Sequence, residues 1–373
     1  SALPIHGWER PSMAAPNHLN ACYLESRGSM KRTATLILLL ALLCGCSAPT
    51  SQSDGTSLHR YEATFLTLFD TVTTIVGYAE TEDAFTGTAQ AIHDELLEYH
   101  QLYDIYNEYD GINNIKTIND HAWEHPVEVD QRIIDLLLFS KDLYTKTQGK
   151  VNIAMGSVLS LWHDAREAGI ADPEQAALPD SDALEQAAAH MDIDSIQIDQ
   201  EKGTVFLSDP QVRLDVGAIA KGYAVAQVCR SAPSGLLISV GGNVCSTGPK
   251  PENGQPWVVG IQDPDNAEQY LHTIYVKDLS VVTSGDYQRY YTVDGVPYHH
   301  IIDPDTRYPA NYWRSVTILC PDSGVADALS TALFTLPQEE GQALLDTFHA
   351  EAMWVCRDGT VLYSPGFQAY IRA

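Results

Sequence analysis

Asp327 and Thr331 stand four residues apart in Val325-Ala326-Asp327-Ala328-Leu329-Ser330-Thr331-Ala332-Leu333. If that segment is helical, the two side chains stack on one face. A carboxylate and a hydroxyl one turn apart are hard oxygen donors suited to Mg²⁺, which fills its remaining octahedral positions with water and substrate phosphates. The competing reading is structural: Asp327 caps the helix and Thr331 faces solvent or bonds back to its own helix. Standing alone, the motif favours the structural reading.

A second cluster is Leu214-Asp215-Val216-Gly217-Ala218-Ile219-Ala220-Lys221-Gly222-Tyr223. An apolar strand ends at Asp215, and small residues then let a helix start tightly. Such a junction directs free N–H groups forward, a seat for phosphate, with Lys221 near the first turns. A plain strand-to-helix turn with Asp215 as N-cap explains the same residues equally well. The third cluster is Val282-Thr283-Ser284-Gly285-Asp286-Tyr287, followed by Tyr298-His299-His300-Ile301-Ile302-Asp303-Pro304. Adjacent histidines on a strand face opposite sides, so at most one lines a given site. Zinc ligands must share a face, and this spacing is not a zinc motif.

The elements that must position these residues follow from periodicity. Tyr61 to Tyr78 reads as strands around Asp70. Asp83–Tyr103 and Gln131–Thr147 read as amphipathic helices, the second ended by Gly149. Ser181–His190 reads as a helix, Ser195–Ile198 with Thr204–Leu207 as a hairpin, and Ala218–Cys229 as a helix. Strands are expected at Leu236–Val240, Trp257–Gln262, Thr273–Val276, Ser280–Thr283, Tyr290–Val293 and Ser315–Cys320. A helix over Ala326–Thr335 and a closing hairpin of Met353–Cys356 and Val361–Tyr363 complete the chain. No internal repeat or second linker interrupts residues 59–373, so the expectation is one compact α+β unit, antiparallel sheets with packed helices.

The chain has 373 residues, 45% of them hydrophobic, enough for a large core. With 49 acidic against 22 basic residues, the formal net charge is −27. That excludes a nucleic-acid role, which needs a basic face, and broad adhesion to anionic lipid. A small anion remains bindable where backbone N–H groups or a metal neutralise it. Residues 1–29 lack hydrophobic periodicity and read as an upstream extension or tail. Met30, Lys31 and Arg32, the apolar run Leu36–Leu43, then Cys44-Gly45-Cys46 follow the order of a signal peptide over residues 30–45. The apolar run is too short to span a bilayer. Leu43-Cys44-Gly45-Cys46 resembles a bacterial lipobox, with Cys44 an unusual occupant. An ordinary secretory signal with an incidental cysteine is the alternative. The lipobox reading places the chain on the extracytoplasmic face of the bacterial membrane, lipid-anchored at Cys46, with residues 46–58 as anchor and polar tether. Cys229, Cys245, Cys320 and Cys356 are widely spaced and read as buried free thiols.

In one order along the chain, these clusters resemble the ApbE family of FAD:protein FMN transferases. Asp215–Tyr223 resembles its D-x-G-x-I-A-K-G-Y segment. Ser284–Tyr287 with His299–Pro309 resembles S-G-D-Y…Y-H-H-I-I-D-P-x-T-x-x-P, and Ala326–Thr331 resembles A-D-A-L-S-T. Phe69-Asp70-Thr71, the stretch from Tyr106 to Asn119, and Asn152 through Trp162 match further family motifs, so the similarity covers nearly all of residues 59–373.

The resemblance implies an ApbE-like, T-fold-like architecture and a Mg²⁺ site made of Asp327, Thr331 and the main-chain carbonyl of Ala218. It implies FAD contacts at Phe69, Tyr106, Val151, Asn152, Asp215, Lys221 and Ile302, with His300 assisting catalysis. The implied reaction moves FMN from FAD to a Ser or Thr hydroxyl of an acceptor flavoprotein, a membrane redox-complex subunit or a secreted protein, and releases AMP. His300 is the candidate base, by position and by an imidazole pKa near working pH. Two departures stand out: Arg307 occupies a place where the family often has Gly, and Ser330 one where some members have Asp. Rival readings are an FAD pyrophosphatase, with water replacing the acceptor, and a non-catalytic FAD-binding lipoprotein.

Overall fold

The computed structural model describes residues 3–4 and 57–372. The segments expected to be a signal peptide and lipobox, and nearly all of the expected tether, lie outside the described residues. Leu3–Pro4, within the segment expected to precede the fold, form a short strand paired in parallel with Val259 and Gly260.

An eight-stranded antiparallel sheet organises the molecule. From one edge its strands are Val361–Tyr363, Glu351–Cys356, Trp313–Cys320, Ser280–Gly285, Asn243–Ser246, Leu237–Val240, Thr71–Ala79 and His59–Leu68. Neighbouring residues in these strands serve opposite faces, as the two-residue period requires. Ile75, Ile238, Cys245, Val282, Ile318 and Trp354 join the core under the helices. Val76, Leu237, Val244, Val281, Leu319 and Met353 join a second core. That second layer is closed by the long hairpin of Trp257–Asp263 and Asn266–Val276. Both faces are therefore buried, which explains the near-continuous apolar runs in the central strands.

Eight α-helices are found among the described residues: α1 Glu82–Tyr103, α2 Ile115–His121, α3 Gln131–Lys146, α4 Gly156–Ala171, α5 Ser181–Ala188, α6 Ala220–Ser231, α7 Ser323–Phe334 and α8 Gln338–Phe348. Helix α1 begins at an N-cap Thr81 whose hydroxyl accepts the Ala84 N–H, with Glu82 and Asp83 favourably placed in the first turn. A third core joins α4 and α5 to the hairpin of Tyr290–Val293 and Val296–His299 through Met155, Trp162, Leu184 and Tyr291. The expected α+β unit is what forms.

Two boundaries move in ways that matter for chemistry. Helix α7 starts at Ser323 instead of Ala326, because the Asp322 carboxylate accepts the Val325 N–H and caps it. Asp327 thus lies in the helix body and is not its cap. Helix α6 starts at Ala220, two residues later than expected. Asp215 closes a turn on the Gly217 N–H at 2.8 Å, and the N-cap position falls to Ile219, which has no capping side chain. The N-cap role weighed for Asp215 is therefore not the one it takes. Helices α2, α4 and α8 and the strand Asn243–Ser246 were not anticipated as elements, and the strand expected to carry both histidines, Val296–His299, ends before His300. The unanticipated elements are short or begin in motif segments whose local pattern does not declare a period.

Candidate active site

A cavity of about 320 Å³ opens where the Phe69–Asp70 hairpin turn, the C-terminal end of α1, α4, the start of α6, residues 298–302 and α7 converge. Phe69, Tyr106, Val151, Asn152, Asp215, Ala218, Lys221, His300, Ile302, Asp327 and Thr331 all border it. Residues scattered over more than 260 positions of sequence are brought to one concave surface.

Asp327 and Thr331 face this cavity from successive turns of α7, as their spacing predicts, and Ala218 borders it from the turn before α6. Asp327 is 5% exposed and takes part in no salt bridge among the described residues. Its Oδ2 accepts the Gly222 N–H at 2.7 Å. Burial raises its pKa, while the nearby Lys221 ammonium, the Gly222 amide and the Asn243 side-chain amide pull the other way. Asn243 Nδ2 is itself buried without a partner within hydrogen-bond range. A desolvated carboxylate on the same cavity as Thr331 and Ala218 suits a hard divalent cation that completes its shell from the substrate. Among the described residues no group of three or more His, Cys, Asp or Glu is placed to hold a metal. Mg²⁺ bound against phosphates ordinarily takes only one or two carboxylates from the protein and the rest of its shell from water and substrate.

The start of α6 differs from expectation. The Ala220 amide donates to Val216 O, Gly222 to Asp327 and Tyr223 to Ile219 O. Few donors remain for an anion there, so the phosphate seat expected from free N–H groups is not built that way. Positive charge comes instead from side chains: Lys221, Lys150, Arg166 and Arg289 all border the cavity. Burial, then the neighbouring Arg166, holds the Arg289 guanidinium below its usual pKa. Asp215 opposes them. Burial raises its pKa and the Gly217 amide, His163, Arg289 and Arg166 lower it. In a chain of net charge −27 the cavity gathers four basic side chains against the four acidic ones Asp70, Asp104, Asp215 and Asp327, a local balance the chain as a whole lacks.

The adjacent histidines divide their labour. His299 is buried, with Nε2 donating to Ala310 O at 2.8 Å and Nδ1 accepting the Ile301 N–H, so both nitrogens are committed. His300 Nδ1 lies 3.2 Å from Arg289 O. A carbonyl accepts only, so Nδ1 carries the proton and Nε2 holds the lone pair, the tautomer a base needs. Its pKa is corrected from the expected near-neutral value. Burial, then Arg289, His299 and Arg166, lowers it to about 3.

The remaining predicted residues are placed as follows. Tyr106 is 56% exposed and its ring packs on His163 at 5.3 Å between centroids. Asn152 spends its side chain on scaffold, donating to Met191 O and accepting the Ala154 N–H. Val151 and Ile302 are buried beneath the cavity wall. Lys150 bridges Asp303 at 3.1 Å and Asp305 at 2.7 Å, fixing the loop after Ile302. Arg307 adopts φ 63°, a conformation suited to Gly, and its carbonyl accepts from Trp162 Nε1 at 2.8 Å. Ser330 is buried, bonding Ser284 Oγ and Asp327 O, and ties α7 to the sheet without bordering the cavity.

Sequence reasoning missed Arg166, Arg289, His163 and His100. A signal existed for the first: Arg166 stands three residues after His163 and four after Trp162, spacings that bring it beside each of them on the helix surface.

The model of the ApbE family matches residues 69–354. An FAD:protein FMN transferase of Treponema pallidum is 31% identical over 359 residues, covering 90% of this chain and 94% of the relative. Another of that name, from Klebsiella pneumoniae, is 30% identical over 285 residues, covering 73% of this chain and 86% of the relative. The crystal structure of the ApbE protein of Thermotoga maritima superposes with a TM-score of 0.74 at 31% identity, covering 84% of this chain and all of that one. The flavin transferase ApbE of Vibrio cholerae has the same fold, with a TM-score of 0.70 at 24% identity. Matched over most of its length by the family model, by these relatives and by their fold, the chain belongs to the ApbE family.

Proposed function

We propose that this chain is a Mg²⁺-dependent FAD:protein FMN transferase that moves FMN from FAD onto a Ser or Thr hydroxyl of an extracytoplasmic acceptor protein and releases AMP. The observation that carries the proposal is the placement of Asp327, Thr331 and Ala218 on the same cavity as His300 and the basic side chains Lys221, Arg166 and Arg289. Relatives from Treponema pallidum and Klebsiella pneumoniae bearing the name FAD:protein FMN transferase support the choice of substrate.

Asp327, Thr331 and the Ala218 carbonyl would hold Mg²⁺, whose chemistry there is to neutralise charge on the pyrophosphate oxygens. Lys221, Arg166 and Arg289 draw the anionic dinucleotide into the cavity. Phe69 and Tyr106 offer aromatic walls to its rings. His300 Nε2 accepts the proton of the acceptor hydroxyl as that oxygen attacks the FMN-side phosphorus. The new O–P bond forms as the bond to the AMP oxygen breaks, and AMP leaves with the electron pair. Catalysis on this scheme rests on positioning and electrostatics. Anchoring at Cys46 would keep the enzyme at the membrane, beside a redox-complex subunit or secreted flavoprotein acceptor.

Incubation with FAD, Mg²⁺ and an acceptor domain, followed by in-gel flavin fluorescence, tests the proposal. Covalent label that survives denaturation supports it. Unchanged labelling by Asp327→Ala removes the metal assignment. AMP release without acceptor at the rate seen with it favours a pyrophosphatase, and tight FAD retention without AMP favours a binding protein.

A further inference from the structure

The hairpin between His59–Leu68 and Thr71–Ala79 turns through Phe69 and Asp70, both at φ 51°. Tight hairpin turns with positive φ normally recruit Asn, Asp or Gly, so Asp70 suits its place while a bulky residue such as Phe69 is held there at a cost of roughly 1–2 kcal/mol. Such a turn persists only where its surroundings over-determine it. Here the Phe69 N–H donates to His100 Nδ1 at 3.2 Å, and the two rings meet edge to face at 5.5 Å.

The bond fixes the state of His100. Because Nδ1 accepts, the ring proton sits on Nε2, 3.3 Å from the Tyr109 hydroxyl. That hydroxyl gives its only proton to Asp104 Oδ2 at 2.7 Å, so its oxygen accepts from His100. Asp104 also accepts the backbone N–H of Tyr106 at 2.7 Å and of Asn107 at 3.0 Å. All its partners are donors, so it acts as a carboxylate. The line Asp104–Tyr109–His100–Phe69 therefore joins two separate walls of the cavity, the turn bearing Phe69 and the loop bearing Tyr106.

We infer that His100 is a positioning residue for the flavin dinucleotide, holding Phe69 and Tyr106 at a set separation through Tyr109 and Asp104. The inference rests on the FAD-binding reading of the cavity. His100 touches no reacting group; its effect is on the spacing of the rings that receive the ligand. Losing the link leaves a strained turn free to relax and an aromatic wall out of place, which weakens FAD before it slows transfer.

FAD binding by the full chain, followed by quenching of flavin fluorescence, separates this from the function itself. Loss of one link is expected to weaken FAD about tenfold, the equivalent of roughly 1.4 kcal/mol. His100→Ala and Tyr109→Phe should each raise Kd and KM for FAD more than they lower kcat. The double variant should be no weaker than the weaker single, because both cut one line. His100→Asn, which can present a carbonyl oxygen in place of Nδ1, should recover most of the affinity. Tyr109→Phe keeps the ring and serves where His100→Ala does not fold. Wild-type affinity in Tyr109→Phe or in folded His100→Ala overturns the inference, as do additive losses in the double variant. A wild-type chain that binds no FAD overturns the functional reading itself, and this inference with it.

Discussion

The carboxylate of Asp327 accepts the Gly222 backbone N–H at 2.7 Å across the contact of α6 with α7. One side chain thus joins the two helices that carry Lys221 and Thr331 while presenting itself to the cavity. Structural and chemical duties can be separated by substitution. Asp327→Asn keeps an acceptor for Gly222 but removes the charge. We expect it to stay folded with a melting temperature close to wild type, and to lose at least about 10²-fold in flavinylation rate, the scale for removing an electrostatic catalytic group. Asp327→Ala should lose both activity and stability, by about 1–3 kcal/mol for the orphaned buried amide. Thermal unfolding beside a flavinylation time course checks both.

Gly222 is required by the same contact. A Cβ there would overlap the Asp327 Cβ and the Ser323 carbonyl oxygen, and backbone atoms cannot step aside cheaply. Gly222→Ala should destabilise the chain by about 1–3 kcal/mol as helices α6 and α7 are forced apart. Flavinylation should fall even at temperatures where the variant is folded, because Asp327 moves with α7. Denaturant midpoints and the Mg²⁺ concentration needed for half-maximal rate report the two effects.

The pKa of about 3 for His300 sets a sign that can be tested. Burial and the neighbouring Arg289 keep the folded-state imidazole neutral, whereas the unfolded chain takes up a proton near the ordinary value of 6.5. Between those two values the unfolded state binds more protons, so this group's contribution to stability is present above 6.5 and is lost as pH falls toward 3. The stability of wild type relative to His300→Gln should therefore decline on acidification from pH 7 to pH 5. As for catalysis, His300 remains an available base through that range, so it should impose no acid limb on kcat/KM near pH 6.5 in the free enzyme. His300→Gln itself should cost about 10²–10⁴-fold in transfer.

What could be seen in advance divides along physical lines. Asp327 and Thr331 were legible because a helix places i and i+4 on one face whatever surrounds it, and α7, Ser323–Phe334, encloses both. The alternation that buries Val281 in one core and Val282 in the other was legible for the same local reason. The amide of Gly222 was not, since its partner lies 105 residues away and only tertiary packing brings it there. Nor was the depressed pKa of His300, which arises from burial beside Arg289 and Arg166, groups convergent in space but without period in sequence. His100 was invisible on its own helix, where it reads as one more polar position. Its meaning comes from Phe69, 31 residues earlier, turning back onto it.

Arg307 offers a test of how the chain tolerates its departure from the family's usual glycine. Its backbone sits at φ 63°, its N–H donates to Asp303 O at 2.7 Å, and its carbonyl accepts from Trp162. The turn is therefore formed despite the side chain, and the loop bearing Ile302 and Lys150's partner Asp303 is already in place. Replacing Arg307 with Gly removes a left-handed penalty of about 1 kcal/mol but restores backbone freedom to the unfolded chain. The net gain for Arg307→Gly should be small and positive, under about 1 kcal/mol, with FAD affinity unchanged. Arg307→Val, β-branched and poorly suited to φ > 0, should instead lose about 1–2 kcal/mol and weaken FAD as the Asp303–Tyr308 turn opens. Chemical denaturation of the three proteins should order them Gly above Arg above Val; Val matching wild type would mean that the turn is held by Trp162 and Asp303 alone.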